Sequence, residues 1–166
     1  MNMRKLARVV RGAFLSLFVI FSFQQAWASV EMPVFALKSV HDGKTIESEE
    51  FKGNALLVTF FATWCPSCIE EIPTLIKLQN QFAQQGFSVI GLSVDQGGTD
   101  AVQRLVKKKD INYPVVMADA KTIRDFGGVY AIPVSFLVNK GGNVVKKYPG
   151  LVPPSVLASD IQSILK

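Results

Sequence analysis

The sequence predicts an α/β domain, a mixed β-sheet covered by helices on both faces, and three observations carry that prediction. The runs Ala55–Phe61 and Phe87–Val94 are almost continuously apolar. Strands with one wet face alternate in polarity, whereas strands buried on both faces do not. Each run is followed by a stretch with helical spacing of apolar residues, the order that builds parallel strand-helix units. Toward the C-terminus the pattern changes: Pro133–Val138 and Val144–Tyr148 are separated only by Asn139-Lys140-Gly141-Gly142-Asn143, a hairpin turn that adds an antiparallel pair.

Residues 1–28 stand apart from this domain. They hold Arg4, Lys5, Arg8 and Arg11 and no acidic residue, then the apolar stretch Ala13–Phe23, then Ala26-Trp27-Ala28. A basic start, a short apolar run and a small-x-small end are the three parts of a secretory signal. The run is well short of the roughly 20 residues that cross a bilayer. Cleavage after Ala28 is therefore expected in preference to a retained anchor, with no stable membrane insertion afterwards. No cysteine follows the cleavage site, which disfavours a lipid anchor. What remains, residues 29–166, suits a single domain. Most of the net charge of +5 lies in the leader, so the domain itself is near neutral and has no nucleic-acid footprint.

Within the domain, Val34–Leu37 and Lys44–Ile46 flank His41-Asp42-Gly43, so an N-terminal β-hairpin is expected. Ser48-Glu49-Glu50-Phe51 reads as a helical turn closed by Gly53, ahead of the strand Ala55–Phe61. A helix from Pro66 or Ser67 carries Ile69, Ile72, Leu75, Ile76, Leu78 and Phe82 at near-helical spacing and stops at Gly86. Pro73 inside it cannot donate to the Ile69 carbonyl and is expected to kink it. The strand Phe87–Val94 leads through Asp95-Gln96-Gly97-Gly98 to an amphipathic helix, Asp100–Lys109. Lys107-Lys108-Lys109 then sits where cations suit the negative end of the dipole. Tyr113–Met117 reads as a short strand and Thr122–Phe126 as a short helix ended by Gly127-Gly128. After the hairpin, Pro153-Pro154-Ser155 introduces a closing helix over Val156–Leu165.

The chemistry is concentrated in Trp64-Cys65-Pro66-Ser67-Cys68, which holds the only two cysteines and lies where strand gives way to helix. Unpaired N–H groups and positive dipole charge at a helix start stabilise a thiolate, lowering a cysteine pKa from about 8.5 to roughly 3.5–7.5. Cys65 is thus the candidate nucleophile. Cys68, one helical turn on, is placed to attack a mixed disulfide at Cys65 and release the partner, which makes it the candidate resolving thiol. A structural staple gains little from so small a loop, and a structural zinc wants four ligands where this chain offers two cysteines and one histidine, His41. The pair reads as redox-active, with no metal and no bound cofactor.

The segment Phe60-Phe61-Ala62-Thr63-Trp64-Cys65-Pro66-Ser67-Cys68-Ile69-Glu70-Glu71-Ile72-Pro73 resembles the active-site segment of thioredoxin-fold proteins, closest to the extracytoplasmic TlpA/ResA-like group. Val129-Tyr130-Ala131-Ile132-Pro133-Val134-Ser135-Phe136-Leu137-Val138 is similar to that group's cis-proline segment. The resemblance spans residues 32–166 and implies a thioredoxin-like mixed β-sheet with an N-terminal β-hairpin and an inserted strand-helix unit at Phe87–Lys109. Two positions depart from it: proline comes first in the dipeptide Pro66-Ser67, as in glutaredoxins and the DsbA oxidases, and Ala131 stands where glycine is usual. The distance from Cys65 to Pro133 leaves no room for the helical insertion of DsbA-like oxidases.

Further site residues follow from the resemblance. It implies a cis Ile132-Pro133 bond facing the dithiol, where the preceding backbone would pair with an extended substrate strand. It implies proton transfer by Glu71, against which stands the ordinary preference for glutamates near a helix start, a preference that also accounts for Glu70. Burial would distinguish the two readings of Glu71, because it raises a carboxylate pKa toward thiol chemistry. Trp64 either shapes a docking surface beside Cys65 or packs in the core. His41 sits in a turn and receives no role.

The function expected is an exported, periplasmic or otherwise extracytoplasmic thiol-disulfide oxidoreductase, a monomer that reduces protein disulfides and is recharged by a membrane thiol-disulfide electron donor. The family's tasks include keeping apocytochrome c haem-attachment cysteines reduced. A disulfide-forming oxidant is the alternative in the opposite direction. Peroxiredoxins share the fold but place a threonine three residues before the reactive cysteine, whereas Thr63 is two before Cys65. A Sco-like copper carrier would need a late histidine ligand, and none follows His41.

Overall fold

Ala55–Phe61 and Phe87–Ser93 are buried at every position, which only a sheet covered on both sides allows. Val94, expected to end the second run, lies past the strand and is partly buried. The computed structural model describes residues 30–166; the expected signal at 1–28 lies outside them. In chain order the strands and helices are β1 (Val30–Glu31), β2 (Ala36–Lys38), β3 (Thr45–Glu47), β4 (Ala55–Phe61), α1 (Pro66–Phe82), β5 (Phe87–Ser93), α2 (Asp100–Lys109), β6 (Val115–Met117), α3 (Ala120–Asp125), β7 (Val134–Val138), β8 (Asn143–Pro149) and α4 (Pro154–Leu165). Short 3₁₀ turns occupy Ser48–Phe51 and Ala83–Gln85.

The main sheet has the order β1-β8-β7-β4-β5-β6. β4 runs parallel to β5, and β5 to β6, as strand-helix units require. β7 and β8 are antiparallel, and β7 also runs antiparallel to β4, which makes the sheet mixed. β2 and β3 form the expected hairpin, pairing Ala36 with Glu47 and Lys38 with Thr45. The hairpin docks on the β6 edge, where the Val40 N–H donates to the Val115 carbonyl at 2.8 Å.

Because successive strand residues point to opposite faces, the sheet divides the core in two. Leu57, Phe61, Val89 and Leu137 pack with residues of α1, α2 and α4. Leu56, Val58, Phe60, Ile90, Leu92 and Phe136 pack with the hairpin and Phe126. On that second side Phe60 meets Phe126 edge-on, with ring centroids 5.1 Å apart.

Several boundaries differ from the sequence reading, each for a local reason. β6 begins at Val115, since Pro114 has no N–H to give a ladder, although its carbonyl still accepts from Gly91 at 2.9 Å. α3 begins two residues early because Asp119 is its N-cap, Oδ1 accepting from the Thr122 N–H at 2.7 Å. α4 starts at Pro154, the first helical position, where a missing N–H costs nothing. Pro73 is exposed and lies within α1, which continues through it. β1 was not anticipated: two residues are too few to show a period, and only pairing with Asn143 and Val144 defines them.

The α3 cap supports a modest prediction. Asp119→Ala should lower stability by about 1 kcal/mol, read as a shift in the denaturant midpoint with an unchanged slope.

Candidate active site

Cys65 sits where β4 ends and α1 begins, delivered by a tight turn in which its N–H donates to the Ala62 carbonyl at 3.2 Å. It is the N-cap of α1, with extended backbone angles (φ −95°, ψ 107°), and Pro66 fills the first helical position. The cap is made by sulfur: Cys65 Sγ accepts from the Cys68 N–H at 3.2 Å and lies 3.5 Å from Ser67 Oγ. The same amide and the same dipole would stabilise a thiolate at Cys65 once the pair is reduced.

Cys65 and Cys68 are joined in a disulfide, with Cα atoms 5.3 Å apart. Both are buried, Cys65 retaining 5% of its surface and Cys68 2%. Cys65 is thus less open than the sequence suggested, but the order of exposure is the one that attack at Cys65 and resolution by Cys68 require.

The Ile132-Pro133 peptide is cis. It comes at the start of β7, beside β4, and puts the Ile132 carbonyl 3.8 Å from Cys65 Sγ. The residue after β8 fastens to it, the Gly150 N–H donating to the Pro133 carbonyl at 2.8 Å. The fold therefore brings Cys65, Cys68, Ile132 and Pro133 together from positions far apart in sequence. Trp64 is 68% exposed, which removes the core-packing reading and leaves its ring on the surface next to Cys65.

Glu71 has the burial that distinguishes its two readings. It is 2% exposed and Oε1 has no hydrogen-bond partner among the described residues. Burial pushes its carboxyl up to about 7 from the usual 4.5, against an opposing pull from the Val152 amide. Tyr113 is also buried; its phenol is held above its ordinary range chiefly by desolvation and then by the Glu71 charge, so the two groups share one low-dielectric pocket. Glu71 lies beyond the first turn of α1, which holds no acidic residue, and the dipole argument loses force there. Glu70 is exposed, in keeping with a solvated helix residue. His41 stays in the hairpin turn, its Nε2 3.3 Å from the Tyr113 carbonyl.

Sequence reasoning missed Asp95, which it read only as part of a loop. Asp95 accepts hydrogen bonds from the Thr63 N–H at 2.9 Å, the Thr63 hydroxyl at 2.5 Å and the Ser93 hydroxyl at 2.8 Å. A usable signal existed: an acid directly after a buried parallel strand lies at the carboxyl end of the sheet, where sites in α/β folds gather.

The chain is similar to known proteins over nearly all of this structure. Residues 28–165 match the Redoxin family. The thiol-disulfide oxidoreductase ResA of Bacillus cereus is 33% identical over 89% of this chain and 88% of its own length. ResA of Bacillus subtilis is 30% identical over 82% of this chain and 74% of its own. The crystal structure of a thiol:disulfide interchange protein, a thioredoxin family protein from Chlorobium tepidum TLS, superposes with a TM-score of 0.77 at 35% identity, covering 83% of this chain and 97% of that one. Together with the cysteine pair at a helix start, these matches show that the chain belongs to the Redoxin family, as a TlpA/ResA-like thiol-disulfide oxidoreductase with a thioredoxin-like fold.

Proposed function

We propose that the protein is exported by its leader and reduces disulfides of extracytoplasmic proteins through Cys65 and Cys68. The observation that carries this reading is the Cys65 sulfur capping α1, tied to the Cys68 amide and facing the Ile132 carbonyl. The Cys65 thiolate attacks one sulfur of a substrate disulfide, forming a mixed disulfide and releasing the other substrate sulfur as thiolate. The Cys68 thiolate then attacks Cys65 Sγ, releasing the substrate as a dithiol and leaving the Cys65–Cys68 disulfide. Two electrons pass to the substrate, and a membrane thiol-disulfide donor returns them by the reverse exchange. No bound cofactor is needed.

The remaining groups act on those two steps. Ile132, held by the peptide to Pro133, offers backbone groups beside the sulfur to an extended substrate segment, and Trp64 presents a flat apolar surface next to it. Glu71 exchanges a proton with Cys68, which must lose one to attack and regain one on reduction. The Thr63 hydroxyl gives its proton to Asp95 and so has none to donate to a peroxide oxygen, which supports disulfide exchange over a peroxidase. The protein acts as a monomer, and apocytochrome c haem-attachment cysteines are the clients to examine first.

The direction of electron flow is tested by the reduction potential of the Cys65/Cys68 pair in glutathione or dithiothreitol buffers. A reductant should lie near the thioredoxin value of about −270 mV. A value near the DsbA value of about −120 mV would make the protein a disulfide-forming oxidant instead.

A further inference from the structure

The loop after β5 holds a polar cluster that the exchange steps do not use. Both hydrogen-bond donors of Thr63 go to the Asp95 carboxylate, the N–H to Oδ2 and the hydroxyl to Oδ1. Asp95 is fixed in turn by Ser93: the Ser93 hydroxyl donates to Oδ2 at 2.8 Å, and the Asp95 N–H donates to Ser93 Oγ at 3.1 Å. Ser93 is fully buried as the last residue of β5. One residue on, the Val94 N–H donates to the Phe61 carbonyl at 2.9 Å, so the end of β5 grips the end of β4 as well.

Thr63 and Trp64 are the two middle residues of the turn closed by the Cys65 N–H on the Ala62 carbonyl. Ala62 is buried with β4 and Cys65 is the cap of α1. Between these anchors the turn is held by Asp95. If Thr63 were released, the turn could rotate, and the Cys65 sulfur would drift from the Cys68 amide that caps it at 3.2 Å. A misplacement of about 1 Å originating away from the reacting atoms costs on the order of 10²-fold in rate.

We propose that Asp95 is a positioning residue for the dithiol, holding the Thr63–Cys65 turn so that the Cys65 sulfur stays on the Cys68 amide. The inference rests on the exchange reading and adds to it a residue that touches neither sulfur nor substrate.

Charge and geometry predict opposite signs, which makes the idea testable. A carboxylate bonded to the turn that delivers Cys65 can only disfavour the thiolate, so removing the charge alone should leave the cysteine pKa in place or lower it. Loosening the turn removes the amide from the sulfur and should raise it. Asp95→Asn can keep the clamp, its carbonyl accepting from the Thr63 N–H and the Ser93 hydroxyl while its amide donates to the Thr63 hydroxyl, which accepts as readily as it donates. Asp95→Ala cannot.

The experiment measures iodoacetamide alkylation of Cys65 against pH in the reduced full-length chain, in a Cys68→Ser background so that one thiol reports. Asp95→Ala should move the midpoint upward by about half a pH unit or more, which slows alkylation by about three-fold or more at pH values below the parent midpoint. Asp95→Asn should stay within about two-fold of the parent, with no upward movement. The proposal is overturned if both variants shift together in either direction, or if Asp95→Ala leaves the midpoint in place. Should Asp95→Ala fail to fold by circular dichroism, Thr63→Val, which loses only the hydroxyl bond, decides: a raised midpoint supports the clamp and an unmoved one overturns it. Failure of the exchange reading would look different, as a parent Cys68→Ser chain that alkylates normally yet captures no disulfide.

Discussion

Cys65→Ser is expected to reduce disulfide exchange to background, a loss on the order of 10⁴-fold or more, because the attacking sulfur is removed and the hydroxyl in its place has no comparable nucleophilicity at neutral pH. Cys68→Ser should behave differently although it also stops turnover. Its Cys65 still attacks, but nothing resolves the product, so a covalent mixed disulfide with the substrate should accumulate. Non-reducing electrophoresis after incubation with a disulfide-bonded client reads both outcomes. The assignment fails if Cys65→Ser traps the client and Cys68→Ser does not, because the nucleophile would then be the deeper sulfur. The structure argues against that reversal, since Cys65 is both the more exposed of the two and the one whose sulfur receives the helix-start amide.

Glu71→Gln should have the next largest effect, on stability and on rate with separate signatures. The folded protein holds the Glu71 proton up to about pH 7, whereas the unfolded chain releases it near 4.5. In that window the native state binds more protons than the unfolded state. The associated stability is therefore fully present below about pH 4.5 and lost as the pH rises through 7. The shift corresponds to about 3 kcal/mol. Glu71→Gln, which cannot ionise, should lose this slope and be the more stable protein above pH 7, as denaturant titrations at pH 4 and pH 8 would show. Activity should move the other way. If Glu71 takes the Cys68 proton, the rate of mixed-disulfide resolution should fall by about 10²-fold, and the rising limb of its pH profile near 7 should disappear. A variant that gains stability at pH 8 yet keeps the parental rate and pH profile would leave Glu71 as a buried acid with no part in exchange.

The exposed and buried glutamates of α1 show how far sequence could go. Glu70 and Glu71 are adjacent and identical, so neither composition nor local spacing separates them. The helix turns one toward solvent and the other under the Val152 amide and beside Tyr113, which come from distant parts of the chain. Asp95 poses the same difficulty. Its loop was visible in the sequence, but its partner Thr63 lies across the β4–β5 pair, and only the parallel register that sets Phe61 opposite Ser93 brings the two together.

The strands and the dithiol were legible because their causes are local. Burial on both faces writes a continuous apolar run, a hairpin writes its turn residues, and a helix start supplies amides to whichever cysteine caps it. By itself the sequence determined the mixed sheet with its flanking helices and the placing of Cys65 and Cys68 at the mouth of α1. Only the tertiary structure decided which carboxylate is stripped of water, which carbonyl approaches the sulfur and which acid steadies the turn. Those are properties of contacts between segments remote in sequence, and desolvation and hydrogen bonding depend on what surrounds a group once the chain has closed on itself.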